Sequence, residues 1–169
     1  THDELYVEAN RLALEEVYGT APEGPDVPGD TAPAHTRRAL RAAGFADAEI
    51  DEGLKRWCDT FSARYVRLLA QADTSHWERG PHAPEAVAAV ERRALLTGNP
   101  SAVAYARIDR LGLRDLFPEG QGAFGCECED RIALFALARE RAGNWPAART
   151  VAVGDTPLDV LTSHAAGCL

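Results

Sequence analysis

The sequence predicts an α/β fold in which a parallel sheet is covered by helices and an all-helical unit is inserted beside it. Three observations point there. The first half shows only helical periodicity, with nothing that reads as a strand. The second half alternates short apolar runs with helical stretches, the pattern of parallel strands joined by crossover helices. Two of those apolar runs end in Thr-Gly-Asn and Gly-Asp, polar groups placed where open parallel sheets bind their ligands.

In order, "DELYVEANRLALEEVYG" (Asp3 to Gly19) carries an apolar stripe at Leu5, Val7, Ala9, Leu12, Ala13, Leu14 and Val17, closed by Gly19. A Pro/Gly-rich loop, "TAPEGPDVPGDTAP", leads to a short helix, "AHTRRALRAAGF", ending near Gly44. Asp47 to about Gln71 reads as one long helix, with Ile50, Leu54, Trp57, Phe61, Tyr65 and Leu68 or Leu69 at three-to-four spacing. The stretch Gln71 to Pro84 is the expected linker, dividing a helical unit at 1–74 from a sheet-bearing unit at 75–169. The second unit then reads helix "PEAVAAVERR", strand "ALLTG", helix "SAVAYARIDRLG", strand "GAFGC", helix "DRIALFALARERAG", strand "TVAVGD" and helix "TPLDVLTSHAAG".

Composition narrows the function classes. A net charge of −8 argues against a nucleic-acid or anionic-membrane surface driven by bulk charge. No apolar run has the length of a membrane span and no signal peptide is visible, so a cytoplasmic protein is expected. Cys58, Cys126, Cys128 and Cys168 form no disulfide or zinc framework, and reduced thiols are expected. The chain lacks methionine, begins in helical rhythm and stops just after a helix, so both ends read as cut.

The two strand ends carry the chemistry. Thr97, Gly98 and Asn99 offer a hydroxyl and adjacent N–H groups that can hold a phosphoryl oxygen, though the same residue types make an ordinary turn. In "VAVGDTPLDV", Asp155 ends a strand and Asp159 falls one helical turn further on the same side. An oxygen-only set of this kind suits Mg²⁺. Either acid could instead serve the helix start, Asp155 as its cap and Asp159 as a first-turn acid. Arg131 opens a helix, where the dipole disfavours a cation, so it could serve an anion or pair with Glu129 or Asp130.

Taken in order, "LLTGN", the basic residue opening a helix and "VGDTPLD" resemble the second, third and fourth motifs of the haloacid dehalogenase superfamily, in its phosphoglycolate-phosphatase-like branch. The resemblance implies a Rossmann-like parallel sheet core with an inserted helical cap, truncated at both ends, with the first and last core strands missing. It implies Thr97 and Arg131 as catalytic groups, and Thr97, Gly98, Asn99 and Arg131 as phosphate binders. Asp155 and Asp159 would hold Mg²⁺. "PGDT" (Pro28 to Thr31) resembles the cap loop, though it carries Asp30 where the family often has a basic residue. Arg37 and Arg38 lie nearby to compensate. The third motif is more often lysine than arginine. The Asp-x-Asp of the first motif is absent, so the nucleophile is expected upstream, and the chain alone is expected to fold poorly and be inactive. The implied activity is an Mg²⁺-dependent phosphomonoester hydrolase of a small phosphorylated metabolite, acting through an aspartyl-phosphate. A phosphosugar mutase and a non-catalytic binding protein of the same fold are the rivals.

Overall fold

The computed structural model describes residues 3–25 and 27–169. Thr1 and His2, where the helical rhythm was expected to begin, and Asp26 lie outside the described residues. Seven α-helices are described: α1 (Glu4–Tyr18), α2 (Ala32–Ala42), α3 (Asp47–Gln71), α4 (Ala83–Ala88), α5 (Ser101–Arg110), α6 (Arg131–Arg141) and α7 (Pro157–Ala165). Two strands accompany them, β1 (Leu96–Thr97) and β2 (Ala123–Phe124).

The first helices form where their end signals place them. Asp3 caps α1 by accepting from the N–H groups of Leu5 and Tyr6, and Gly19 ends it in the left-handed conformation at φ 73°. Thr31 caps α2. The long helix α3 spans the predicted residues, and Ile50, Trp57, Phe61, Tyr65 and Leu69 are all buried on one face. That face meets Ala9, Ala13 and Leu14 of α1. Tyr6 packs edge-on against Phe61 at 4.8 Å, and Trp57 stacks on Phe61 at 5.4 Å between centroids. Each of these large side chains stabilises by about 1.5–3 kcal/mol when fully buried.

The same cluster runs on into the second half through Val103 of α5. A buried carboxylate binds the three helices together. Asp3 Oδ2 accepts from the Tyr65 hydroxyl at 2.8 Å and from Arg107 Nη2 at 2.6 Å, while Oδ1 caps α1. One acid therefore holds the start of α1, the middle of α3 and the end of α5.

The sheet overturns the expected fold class. β1 and β2 pair in parallel, Leu96 opposite Ala123 and Thr97 opposite Phe124, and no other strand joins them among the described residues. The molecule is mostly helical, and the multi-strand Rossmann-like core is not formed. The predicted strand "TVAVGD" is where the reading fails. Its described sheet-type bonds go to Leu169 alone, whose N–H donates to Thr150 O and whose carbonyl accepts from Ala152 N–H, both at 2.8 Å. Val151 and Val153 are 68% and 97% exposed, so the apolar run is not buried. An apolar run becomes an inner strand only when neighbours satisfy both backbone edges and cover both faces. The helix expected over Pro84 to Arg93 also shortens, to the six residues of α4.

The thiols are a second correction. Cys58 of α3 and Cys126, just after β2, form a disulfide across 68 positions of sequence, and Cys128 and Cys168 are free. Sequence separation hides such a pair, because neither cysteine has a local partner. In the chain-entropy view, closing a loop of that size stabilises by about 4 kcal/mol. No described helix is long and apolar enough to cross a membrane.

Removing the Asp3 carboxylate tests the three-helix junction. Asp3→Ala loses the α1 cap and leaves the Tyr65 hydroxyl and the Arg107 guanidinium without their acceptor. Urea melts are expected to show a loss of about 2–4 kcal/mol. A variant as stable as the parent would show that the junction carries no stability.

Candidate active site

One cleft of about 350 Å³ gathers every residue singled out at the two strand ends: Thr97, Gly98, Asn99, Arg131, Asp155 and Asp159. They come from three places in the chain, the loop after β1, the start of α6 and the turn into α7. A fourth contributor is the loop before α2, through Gly29 and Asp30.

Backbone contact builds this cleft. The N–H of Ala32 donates to Gly98 O at 2.8 Å, and Gly125 N–H donates to Asn99 O at 3.0 Å. A Cβ on Gly98 would lie 2.3 Å from Asp30 O, and one on Gly125 would lie 1.9 Å from Gly98 O. Both distances are far inside van der Waals contact, so no side chain fits at either position. Within the loop, Asn99 N–H donates to Thr97 Oγ1 at 3.2 Å. That bond occupies the Asn99 amide, while the Thr97 hydroxyl proton and the Gly98 amide have no acceptor among the described residues and are open to an anion. Thr97 thus shapes the turn and can still bind an oxyanion.

Arg131 and Asp159 meet. They form an ion pair through Nη2 and Oδ1, with side chains only 11% and 13% exposed. The other carboxylate oxygen of Asp159 accepts from Thr156 N–H at 3.0 Å and Thr156 Oγ1 at 2.7 Å, which makes Asp159 the acid of a capping box on α7. Thr156, not Asp155, is the cap residue. Nor does Arg131 pair with its sequence neighbours. Asp130 caps α6 through Ile132 N–H at 2.8 Å, and Glu129 is bound by Arg37. Burial raises the Asp159 pKa, but the hydrogen bonds from Thr156 and the charge and hydrogen bond of Arg131 outweigh it and leave the carboxyl below its ordinary range.

Sequence reasoning named Asp30, Glu129 and Thr156 but not the contacts they make at or beside the cleft. Asp30 is paired with Arg38, as the nearby arginines allowed, but its place on the cleft wall follows only from the fold. Glu129 takes Arg37 Nε at 2.8 Å and Nη2 at 2.5 Å, and its carbonyl accepts the Thr31 hydroxyl at 2.9 Å. Thr156 was visible as a helix-start residue, yet its bond to Asp159 closes one side of the proposed metal ligand.

Mg²⁺ fits this set in one way only. Both Asp159 oxygens are engaged, and Asp30 is held by Thr31 N–H and Arg38. Asp155 is exposed and makes no side-chain hydrogen bond among the described residues. No group of three or more His, Cys, Asp or Glu side chains able to hold a metal occurs among those residues. One open carboxylate suits an ion whose other positions go to water and a substrate phosphate, with Asp159 in an outer layer. No protein-family model matches this chain, and no curated protein matches it.

Two measurements probe the site. Gly98→Ala should push the loop before α2 off the cleft and lower stability by about 1–3 kcal/mol through overpacking; an unchanged melt and an unchanged Ala32 amide would contradict the close approach. Because the Asp159 pKa is depressed on folding, its stabilisation is present above about pH 4 and is lost as pH falls through the folded value. Asp159→Asn is therefore expected to cost more stability at pH 7 than at pH 2.5, read from urea melts at both.

Proposed function

We propose that the cleft is the phosphate- and Mg²⁺-binding side of a phosphomonoester hydrolase acting on a small phosphorylated metabolite. The observation that carries this reading is the convergence of three separate chain segments, each bearing phosphate- or metal-competent groups, on one opening. It rests on the cleft and on the motif resemblance, not on a sheet.

The charges support it. Asp159 is neutralised by Arg131 and Asp30 by Arg38, which leaves Asp155, among the described residues, as the uncompensated charge on the cleft wall. A phosphate dianion meeting a lone carboxylate is repelled, so anion binding here calls for a cation shared between Asp155 and the phosphate. When bound, Mg²⁺ would supply charge neutralisation to the transferring group. The Thr97 hydroxyl and the Gly98 amide would donate to phosphoryl oxygens, and Arg131, with Nε buried and unpartnered, retains a donor to turn toward them. The attacking carboxylate, in this reading, is an aspartate upstream of this sequence. It would form an aspartyl-phosphate that water then cleaves.

The closure of Asp159 by Arg131 and Thr156 favours a second reading, a phosphate-binding protein without turnover, since it removes one of the two proposed metal ligands. Phosphate release from a panel of phosphomonoesters, with and without Mg²⁺, separates the two in the complete protein. Mg²⁺-dependent release is expected, with Asp155→Asn lowering kcat by about 10²-fold or more. Mg²⁺-dependent phosphate binding without release would favour the second reading. Interconversion of sugar phosphates without free phosphate would identify the mutase, and neither binding nor turnover would overturn the proposal.

A further inference from the structure

The Cys58–Cys126 disulfide joins the helical layer to the segment on which the cleft is built. Cys58 lies in the core face of α3, packed with Trp57 and Phe61 and 7% exposed. Cys126 is half-buried and packs against the same cluster. Within the segment Gly125 to Glu129, Glu127 turns away to Phe124 N–H and to Arg141 of α6, while Gly125 and Glu129 tie it to the cleft and to the loop and helix beside it. Gly125 bonds to Asn99 and lies against the Gly98 carbonyl. Glu129 holds Arg37 of α2 with its carboxylate and the Thr31 hydroxyl with its carbonyl. Arg131, two residues on, enters the cleft itself. Arg37 is shared, since Asp51 also takes its Nη2, at 2.6 Å. The disulfide is the covalent bond in this junction, and a reductant can open it without unfolding a helix.

We propose that Cys126 is a site of thiol–disulfide exchange, and that the Cys58–Cys126 bond is a redox-controlled clasp holding the loop before α2 and the segment after β2 in place across the cleft. The reactant is a dithiol reductant. One of its thiolates attacks the Sγ of Cys126, the less buried of the two residues, forming a mixed disulfide and expelling Cys58 as a thiolate that takes a proton. The second thiol displaces Cys126, which leaves with the other proton. Two electrons and two protons pass to the protein, and the dithiol departs as its own disulfide. Reduction leaves only noncovalent ties to hold the junction, among them the Arg37–Glu129 pair, the Thr31–Glu129 bond and the backbone bonds to Gly98 and Asn99. The cleft then opens from the Ala32–Gly98 and Gly125–Asn99 contacts outward. Oxidation restores it.

The inference is independent of whether the cleft turns over a phosphate ester, and its test uses none. Amide hydrogen exchange is followed in the oxidised protein, in protein reduced with dithiothreitol, and in a Cys58→Ser/Cys126→Ser variant. The amides of Ala32 and Gly125 are expected to exchange at least about tenfold faster in the reduced protein and in the variant. Those of Ala9 to Leu14, in the core of α1, should be unchanged in all three. Cys128→Ser should behave as the parent does. Equal exchange of Ala32 and Gly125 in both redox states would overturn the clasp. So would equally accelerated exchange in α1, which would make the disulfide a global staple, and so would four free thiols in protein never exposed to reductant.

Discussion

The cleft depends on one constraint, the approach of three backbones at Gly98. The loop before α2 crosses the end of β1 so closely that Asp30 O occupies the place of a Gly98 side chain, and Gly98 O in turn occupies the place of one on Gly125. Peptide groups at this range have room for hydrogen bonds but none for side chains, and the Ala32–Gly98 and Gly125–Asn99 bonds follow. Three of the residues on the cleft follow from that stack. Thr97 precedes it, Asp30 lies on it, and Arg131 begins six residues after Gly125. The helical layer is not an independent lid over the site. Its loop is one of the three backbones that form the wall.

This explains why two halves of such different composition share one core. Asp3 connects α1 and α3 to α5 at one end of the interface, and Glu129 connects α2 to the segment before α6 at the other. Both are acids that meet an arginine from the opposite half, with hydroxyls as additional donors: Tyr65 to the Asp3 carboxylate and Thr31 to the Glu129 carbonyl. Charged pairs at an interface between halves stabilise less than buried apolar area, but they fix register, because an acid placed one turn away would lose its partner. The apolar cluster from Trp57 to Val103 supplies the area and the two acids supply the alignment.

The sequence made most helices readable and located β1 and β2 within "ALLTG" and "GAFGC", but it left the extent of the sheet unreadable, for a physical reason. A helix satisfies its own backbone, so local signals suffice: Asp3 and Gly19 delimit α1, and the spacing from Ile50 to Leu69 fixes α3 to its ends. A strand satisfies its backbone through neighbours that may lie anywhere in the chain. "TVAVGD" has the composition of a buried strand, but its described sheet-type bonds go to Leu169 alone and its valines lie open. The cleft residues were singled out by residue type, by their place at the ends of apolar runs and by their order in the chain, and the fold brings them to one opening. Their pairings were not legible. Arg131 reaches across 28 positions to Asp159 while its two acidic neighbours serve a helix cap and a distant arginine. The disulfide was hidden in the same way.

The Arg131–Asp159 pair sets the balance between the two readings of the cleft. While it holds, the guanidinium is spent on a carboxylate and the carboxylate on a guanidinium, so neither is fully available to phosphate or metal. Arriving phosphate and cation would invert those preferences together. A phosphoryl oxygen competes for Arg131, and a cation near Asp155 offers Asp159 a new positive partner at short range. Each exchange makes the other cheaper, because the ion released by one half of the pair is what the incoming ligand requires. Phosphate or cation alone would face the intact pair, whereas both together replace one neutral arrangement with another. Under the proposed function, the cleft would respond to phosphate and metal together rather than to either component, and the Asp159 carboxyl, held below its ordinary range, would be ionised for that exchange at neutral pH.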